Sequence, residues 1–370
     1  MKIAFVTFGN FDGHATLKRA TGMAGPLLVE GHEVFLLLED CGINREKVEL
    51  ECPGVQVFWH QRSCSARTER RAKQVTLASI QPDVVWICGV GSRNWMRRTH
   101  RACIVLADHS ELYSRVSHDF VRKAFYWLLE WCYCFSFDGH ICASRYLERF
   151  YTGRLKKLRK VQNVHYSPYA FHPDVLSPDS EAGAQIQARF AGKKLLLYMG
   201  SFWKNYGFWD MLEAFRELAS RRDDFIAIMA GRGPEKENGI AWVKEHKLEE
   251  SIRIEGYVAE EQLSAYFTGA HAFISPLNDT VQDWARCPSK LFMYLPFQHP
   301  VVTCQIGEAA ELFGEKGLYY QPGDVDSLVC ALSRVLTQDV GIDAITLDDH
   351  TYTARTKTFL SWLDTRFGRI

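Results

Sequence analysis

Arg286, Pro288, Ser289 and Lys290 stand together in WARCPSKLF, residues 284–292. Two cations and a hydroxyl around the start of a helix are the groups a diphosphate needs. Pro288 suits the first helical turn, where its missing N–H costs nothing. Ser289 and Lys290 add donors beside the free backbone N–H groups of that turn. The alternative is a capped surface helix with chance charges. Two more cations follow strand-like runs that end in glycine. MGSFWKNYG (199–207) places Ser201 and Lys204 past one run, and AGRGPE (230–235) places Arg232 past another. Each alone is an ordinary loop cation; with Arg286 and Lys290 they favour a pyrophosphate site. GNFDGHA (9–15) follows the first run, and its glycines, Gly13 among them, either let backbone N–H groups approach an anion or simply make a tight turn. It is not GxGxxG. DVD (324–326) precedes SLVCALSRVL, so Asp324 or Asp326 reads as a helix cap rather than a metal ligand. No His/Cys/Asp cluster has metal-ligand spacing, and no metal or other cofactor is expected.

These residues are spaced by a regular series of elements. KIAFVTF (2–8), GHEVFLLLE (31–39), VQVFWH (55–60), DVVWICG (83–89), CIVLADH (103–109) and GHICAS (139–144) are short continuous apolar runs, with helical stretches at 15–30, 66–79 and 118–134. A last short strand is expected within 161–174. Such alternation predicts a parallel sheet covered on both faces. VLSPDSEAGAQ (175–185) is Ser/Pro/Gly-rich and reads as a linker. A second series follows: KKLLLYMGSF (193–202), FIAIMAGRGPE (225–235), IRIEGYV (252–258), AHAFISPL (270–277), HPVVT (299–303) and GLYYQPG (317–323). The expectation is two doubly wound α/β domains, 1–175 and 176–350, with 351–370 a C-terminal helix packing back on the first. Ligands of such sheets bind beyond the carboxyl ends of the strands, and two facing domains would make a cleft.

The 370 residues are 47% hydrophobic, enough for two cores, and carry 44 basic against 44 acidic side chains. The balance gives no indication of nucleic-acid binding. It hides an asymmetry: residues 1–175 carry 24 Lys and Arg against 17 Asp and Glu, and residues 176–370 carry 20 against 27. The 11 cysteines include no CxxC, which fits a reducing cytoplasm better than a disulfide framework. No run reads as a signal peptide or a membrane span. AFYWLLEWCYCFSF (124–137) is too short and contains Glu130. Aromatics with Arg122 and Lys123 in 118–135, and the basic runs RNWMRRTHR (93–101) and RLKKLRK (154–160), describe either a face resting on anionic lipid or a core helix with solvated charges.

The order of GHEVFLLL, PDVVWICG, VQNVHYSPYAFHPD, MGSFWKNYG, AGRGPE, IRIEGYVAEEQLSAYFTGAHAFISPL, PSKLFMYLPFQHPVV and GLYYQPGDVDSLVCAL resembles glycosyltransferase family 4, retaining enzymes of the GT-B fold. The likeness spans nearly the whole chain, strongly in the second half and loosely in the first. It implies a hexosyl-type transferase in which the second domain holds a nucleotide-diphosphate sugar and the first a saccharide or lipid-linked acceptor, without a metal. It implies that Lys204, Arg286 and Lys290 hold the diphosphate, that Tyr257 and Val258 pack by the base, that Gly13 faces the diphosphate, and that His109 in DHSEL faces the transferred sugar; an ordinary core histidine is the alternative. A role in polysaccharide or glycoconjugate synthesis follows, with a cytoplasmic site and a peripheral place on the membrane.

The sequence departs from the family pattern. Ala285 and Met293 stand where the family often has Glu-x7-Glu, Ser201 where it has Arg, and Tyr206 where it has Lys. Met293 cannot accept a ribose hydroxyl. Either Asp279, Asp283 or Glu308 does so, or backbone groups do, or the donor site is degraded; Met293 would otherwise be core. A non-catalytic nucleotide-sugar binder and a sugar-nucleotide epimerase of the same fold are the competing functions.

Overall fold

Alternate residues of a strand point to opposite faces, so a run that is apolar throughout needs cover on both. In the computed structural model, which describes residues 1–11, 16–116, 119–338, 340 and 345–368, the apolar runs form two parallel sheets. The chain divides into two units. One comprises Met1–Val175, Trp284–Ser289 and Asp348–Ile370, the other Leu176–Asp283 and Lys290–Leu347.

The first unit contains β1 (Lys2–Val6), α1 (Thr16–Val29), β2 (Glu33–Glu39), α2 (Gly42–Glu51), β3 (Gln56–His60), α3 (Ala66–Ile80), β4 (Val84–Cys88), β5 (Ile104–His109), α4 (Tyr113–Val116), α5 (Phe120–Ser136), β6 (Gly139–Cys142), α6 (Arg145–Lys157) and β7 (Val164–Tyr166). Its seven strands lie in the order β3-β2-β1-β4-β5-β6-β7, all parallel. Ile3, Phe5, Val84 and Trp86 point to one core, together with Leu17 and Met23 of α1. Ala4, Val6, Val85 and Ile87 point to the other, against Leu77 of α3, Tyr133 of α5 and Tyr151 of α6.

The second unit contains α7 (Ser180–Arg189), β8 (Lys194–Ser201), α8 (Phe208–Ala219), β9 (Phe225–Arg232), α9 (Lys236–Glu245), β10 (Ile252–Glu255), α10 (Glu260–Gly269), β11 (Ala272–Ser275), α11 (Val281–Ala285, whose last residues belong to the first unit), α12 (Ser289–Tyr294, whose first residue belongs to the first unit), β12 (Val301–Thr303), α13 (Gly307–Phe313), β13 (Leu318–Tyr319) and α14 (Val325–Thr337). The strand order is β10-β9-β8-β11-β12-β13, again all parallel. Asp324 caps α14, its Oδ1 accepting from the Ser327 N–H at 2.9 Å. The last helix, α15 (Tyr352–Phe367), belongs to the first unit. It packs beside α1 and puts Phe359 and Leu363 into that core.

Two expectations need correction. The stretch read as a linker at 175–185 is helical from Ser180. Asp179 caps it, its Oδ1 accepting from Ala182 N at 3.0 Å. Gly183 serves close packing rather than flexibility: a Cβ there would lie 2.6 Å from Thr268 Cγ2 of α10. The segment Trp284–Ser289, expected within the second domain, packs with the first unit. Ala285 and Cys287 are buried, and the Ala285 carbonyl accepts from Ser144 Oγ at 2.5 Å. Small apolar residues on either side of Arg286 anchor that segment.

Candidate functional site

In the second unit, β8 and β9 run in register to their carboxyl ends, where Ser201 faces Arg232. The two backbones come very close there. A Cβ on Gly231 would lie 1.7 Å from the Gly200 carbonyl oxygen, so only glycine fits. The chain then leaves the sheet, and Lys204 sits in a short 3-10 turn, Lys204–Tyr206, before α8. Ser201, Lys204 and Arg232 are exposed. Lys290 comes from α12 to the same edge. Its Nζ lies 4.4 Å from the Tyr198 ring centre, against the Gly200 backbone, where a Cβ would meet it at 2.5 Å. Tyr198 Oη donates to the Ser201 carbonyl at 2.9 Å. The Arg232 guanidinium lies 3.9 Å from the ring centre of Tyr257, which is half-exposed; such stacking is worth about 0.5–1 kcal/mol at a surface. Val258 follows, half-buried. The structure thus brings together Ser201, Lys204, Arg232, Tyr257 and Lys290 around two strand ends, a cationic edge suited to an anion.

Met293 is not in the core. On α12, Leu291, Phe292 and Tyr294 are buried, while Ser289, Lys290 and Met293 are half-buried. Spacing of three and four residues puts these three on one helical face. The helix is only six residues long and passes into a 3-10 turn at Leu295–Phe297, so it contributes little dipole. Of the acids considered as substitutes, Asp283 is buried and engaged, its Oδ2 accepting from Asn278 N at 2.6 Å. Glu308 is buried in the first turn of α13. Met293→Glu is therefore expected to fold, with a melting temperature within about 5 °C of the parent, and to bind nucleotide at least as tightly. A thermal melt and a binding titration check both. A collapse in stability would place the side chain in the core.

In the first unit, the end of β5 is held by a buried pair. Arg19 Nη1 donates to Asp108 Oδ1 at 2.5 Å, and Trp86 Nε1 donates to Asp108 Oδ2 at 2.9 Å. The next residue, His109, is 4% exposed. Its Nε2 lies 3.0 Å from His140 Nδ1, and its ring stacks 3.9 Å from Tyr151. Burial, then the neighbouring His140, Arg19 and Arg154, keep its pKa well below the usual histidine range. At neutral pH it is an uncharged hydrogen-bonding group. His109 lines a small pocket with Gly89, Glu111, Tyr113 and Glu130. Burial raises the Glu111 carboxyl above its ordinary value against the pull of Arg286.

Arg286 and Ser289 belong to the first unit and Lys290 to the second, so the motif that reads as one cluster along the chain is divided. Gly13 lies outside the described residues. Glu111 was not singled out by the sequence reading; its place in DHSEL, two residues after His109, was the available signal. Arg19 gave none, because its partner is 89 residues away.

Two all-parallel α/β units with these strand orders have the GT-B fold. Residues 193–338 match the family described as Glycosyl transferases group 1. The chain is similar to a 2-deoxystreptamine N-acetyl-D-glucosaminyltransferase of Niallia circulans, 24% identical over 166 residues. That match spans 44% of this chain and 41% of the relative, less than half of its length. Anabaena HepE, in complex with UDP and glucose, superposes with a TM-score of 0.68 at 14% identity, covering 99% of this chain and 95% of that one. A TarM variant of S. aureus, in complex with fondaparinux, alpha-GlcNAc-glycerol and UDP, superposes with a TM-score of 0.70 at 8% identity over 100% of both chains. At these identities the likeness is one of fold.

Proposed function

We propose that the chain is a glycosyltransferase of family 4, moving a sugar from a nucleotide-diphosphate donor to a saccharide or lipid-linked acceptor with retention, in polysaccharide or glycoconjugate synthesis and without a metal. The observation that carries this reading is the set of Ser201, Lys204, Arg232 and Lys290 at the carboxyl edge of the second sheet, inside the stretch that matches the group 1 family. Charge develops on the leaving diphosphate as the glycosidic bond breaks. Fixed cations there lower the barrier without reorganising. Tyr257 and Val258 are assigned to the base. The first unit is assigned the acceptor, with neutral His109 a hydrogen-bonding group for a sugar hydroxyl. Arg286 stands beside Glu111 on that unit, and its assignment to the diphosphate is tested by Arg286→Ala.

A second reading, a non-catalytic nucleotide-sugar binder, is favoured by Ala285 and Met293 at the two acid positions, since buried Ala285 offers no group to a ligand. Thermal shifts against UDP, GDP, ADP and CMP, followed by turnover of the matching nucleotide sugar, separate the two. A nucleotide at a hundred times its Kd stabilises by about 2.7 kcal/mol. Stabilisation with product release supports the enzyme. Stabilisation without turnover of any sugar supports the binder, and no shift with any nucleotide rejects both. UDP is the first to try, since two neighbours of the fold hold it.

The protein is also proposed to work in the cytoplasm, peripherally on an anionic membrane. No described helix is long and apolar enough to cross one. The support is the exposed apolar surface of α5 in the more basic half of the chain.

A further inference from the structure

Two stretches separate in the sequence, the aromatic run of α5 and the basic run 154–160, meet in the first unit around one cavity of about 270 Å³. Arg154 of α6 forms part of its wall and is only 7% exposed. Its guanidinium lies 4.5 Å from the Trp131 ring centre and 4.2 Å from that of Phe150. Nη2 reaches Glu130 Oε2 at 3.4 Å, while Nη1 is buried without a hydrogen-bond partner. Trp131 Nε1 is buried without a partner as well. Arg115 and Lys157 line the same cavity and are exposed.

Glu130, the carboxylate that meets Arg154, is already occupied. It accepts from Ser114 N at 3.0 Å and Ser114 Oγ at 2.9 Å, besides Arg154. The wall of the cavity therefore holds two buried donors without partners, and two exposed cations line it as well. Buried donors left unmade cost free energy, and a rotation of either side chain toward an anion in the cavity would recover it. Arg and Trp donors suit the oxygens of a phosphate.

The same helix carries an apolar surface that is exposed among the described residues. Phe120 is 83%, Val121 75% and Phe125 56% exposed, and Leu128 is exposed too. Trp127 belongs to both features: it lines the cavity and is half-exposed. Apolar side chains beside a cationic cavity match the two parts of a phospholipid, acyl chain and phosphate.

We propose that this cavity seats the headgroup phosphate of an anionic lipid, with the exposed apolar residues of α5 in the acyl boundary. The choice of a lipid as the phosphate source rests on the peripheral-membrane reading above.

The test compares flotation of the full chain with vesicles of phosphatidylcholine alone and of phosphatidylcholine with phosphatidylglycerol. The wild type should prefer the anionic vesicles. Arg115→Gln/Lys157→Gln, both at exposed positions, should weaken that binding about thirtyfold, two near-surface charges' worth. The charge-matched pair Arg97→Gln/Arg101→Gln, outside the cavity lining, should change it by no more than about threefold. Trp131→Phe keeps the ring and removes one donor, and should weaken binding about fivefold. Equal losses in the two charge pairs would mean diffuse attraction and overturn the cavity. A wild type that ignores both vesicle types would overturn the membrane reading and this inference together. Saturable binding of glycerol 3-phosphate without any preference for anionic vesicles would overturn the lipid as source.

Discussion

Replacing Lys290 by Ala is expected to weaken nucleoside-diphosphate binding by about 1.5–3 kcal/mol, roughly tenfold to a hundredfold, the scale of a hydrogen bond to a charged group. The expectation comes from where the ammonium sits. It is held over the Tyr198 ring and against the Gly200 backbone, beside the strand end that carries Ser201. A cation fixed in that way loses little freedom on meeting a phosphate. Lys204 differs. It is exposed in its 3-10 turn and makes no hydrogen bond or ion pair among the described residues, so ordering its side chain costs entropy. Lys204→Ala should have the smaller effect, about 1 kcal/mol. Calorimetric titration of the preferred nucleoside diphosphate measures both. Lys290→Met retains the packing of the stem on Tyr198, so an equal loss in the Met and Ala variants assigns the effect to charge. Unchanged affinity in folded Lys290 variants would remove this edge of the sheet as the diphosphate site.

Much of this architecture could be read before any coordinates. The apolar runs were legible because a parallel sheet buried on both faces needs them, and Lys204 and Arg232 were legible because each follows a run that ends in glycine. What the sequence concealed depends on partners far along the chain. Arg19 reads as a solvent residue of α1, yet it is fully buried against Asp108. The stack of His109, His140 and Tyr151 joins β5, β6 and α6. Composition misled at 180–189, where Ser, Gly and Ala form a close-packed helix. Charge misled at 154–160, where a basic run hides the last turn of α6 and Leu155 in the core. The division of Arg286 from Lys290 was equally hidden, because nothing along WARCPSK marks which sheet each residue joins.

Acid should destabilise the first unit well before its carboxylates are exhausted. Three of its histidines are buried. His109 is held well below the ordinary histidine pKa, and His140 and His165 are each lowered to about 3, burial being the main cause in all three. In the unfolded chain they protonate near the ordinary value of about 6.5. Below that pH the unfolded state takes up protons that the folded state refuses. Stability is therefore complete above about pH 6.5 and falls as the pH drops toward the lowered folded values. Each group contributes about 1.4 kcal/mol per pH unit, so by pH 5 His140 and His165 have each cost about 2 kcal/mol. Those two together lose about 4 kcal/mol against a typical total stability of 5–15, and His109, in hydrogen-bond contact with His140, adds to the loss in the same direction. Glu111 and Glu130 oppose the trend. Burial raises both, so the folded state gains protons there as pH falls, and the net slope is smaller than the histidines alone would give. The histidine share is isolated by comparison. Urea melts of the wild type and of His140→Asn and His165→Asn, taken from pH 7.5 to 5, should show a shallower pH dependence in each variant, by up to about 1.4 kcal/mol per pH unit. Parallel curves for all three proteins would mean that these imidazoles accept protons in the folded state, and that the stack beside His109 opens to water.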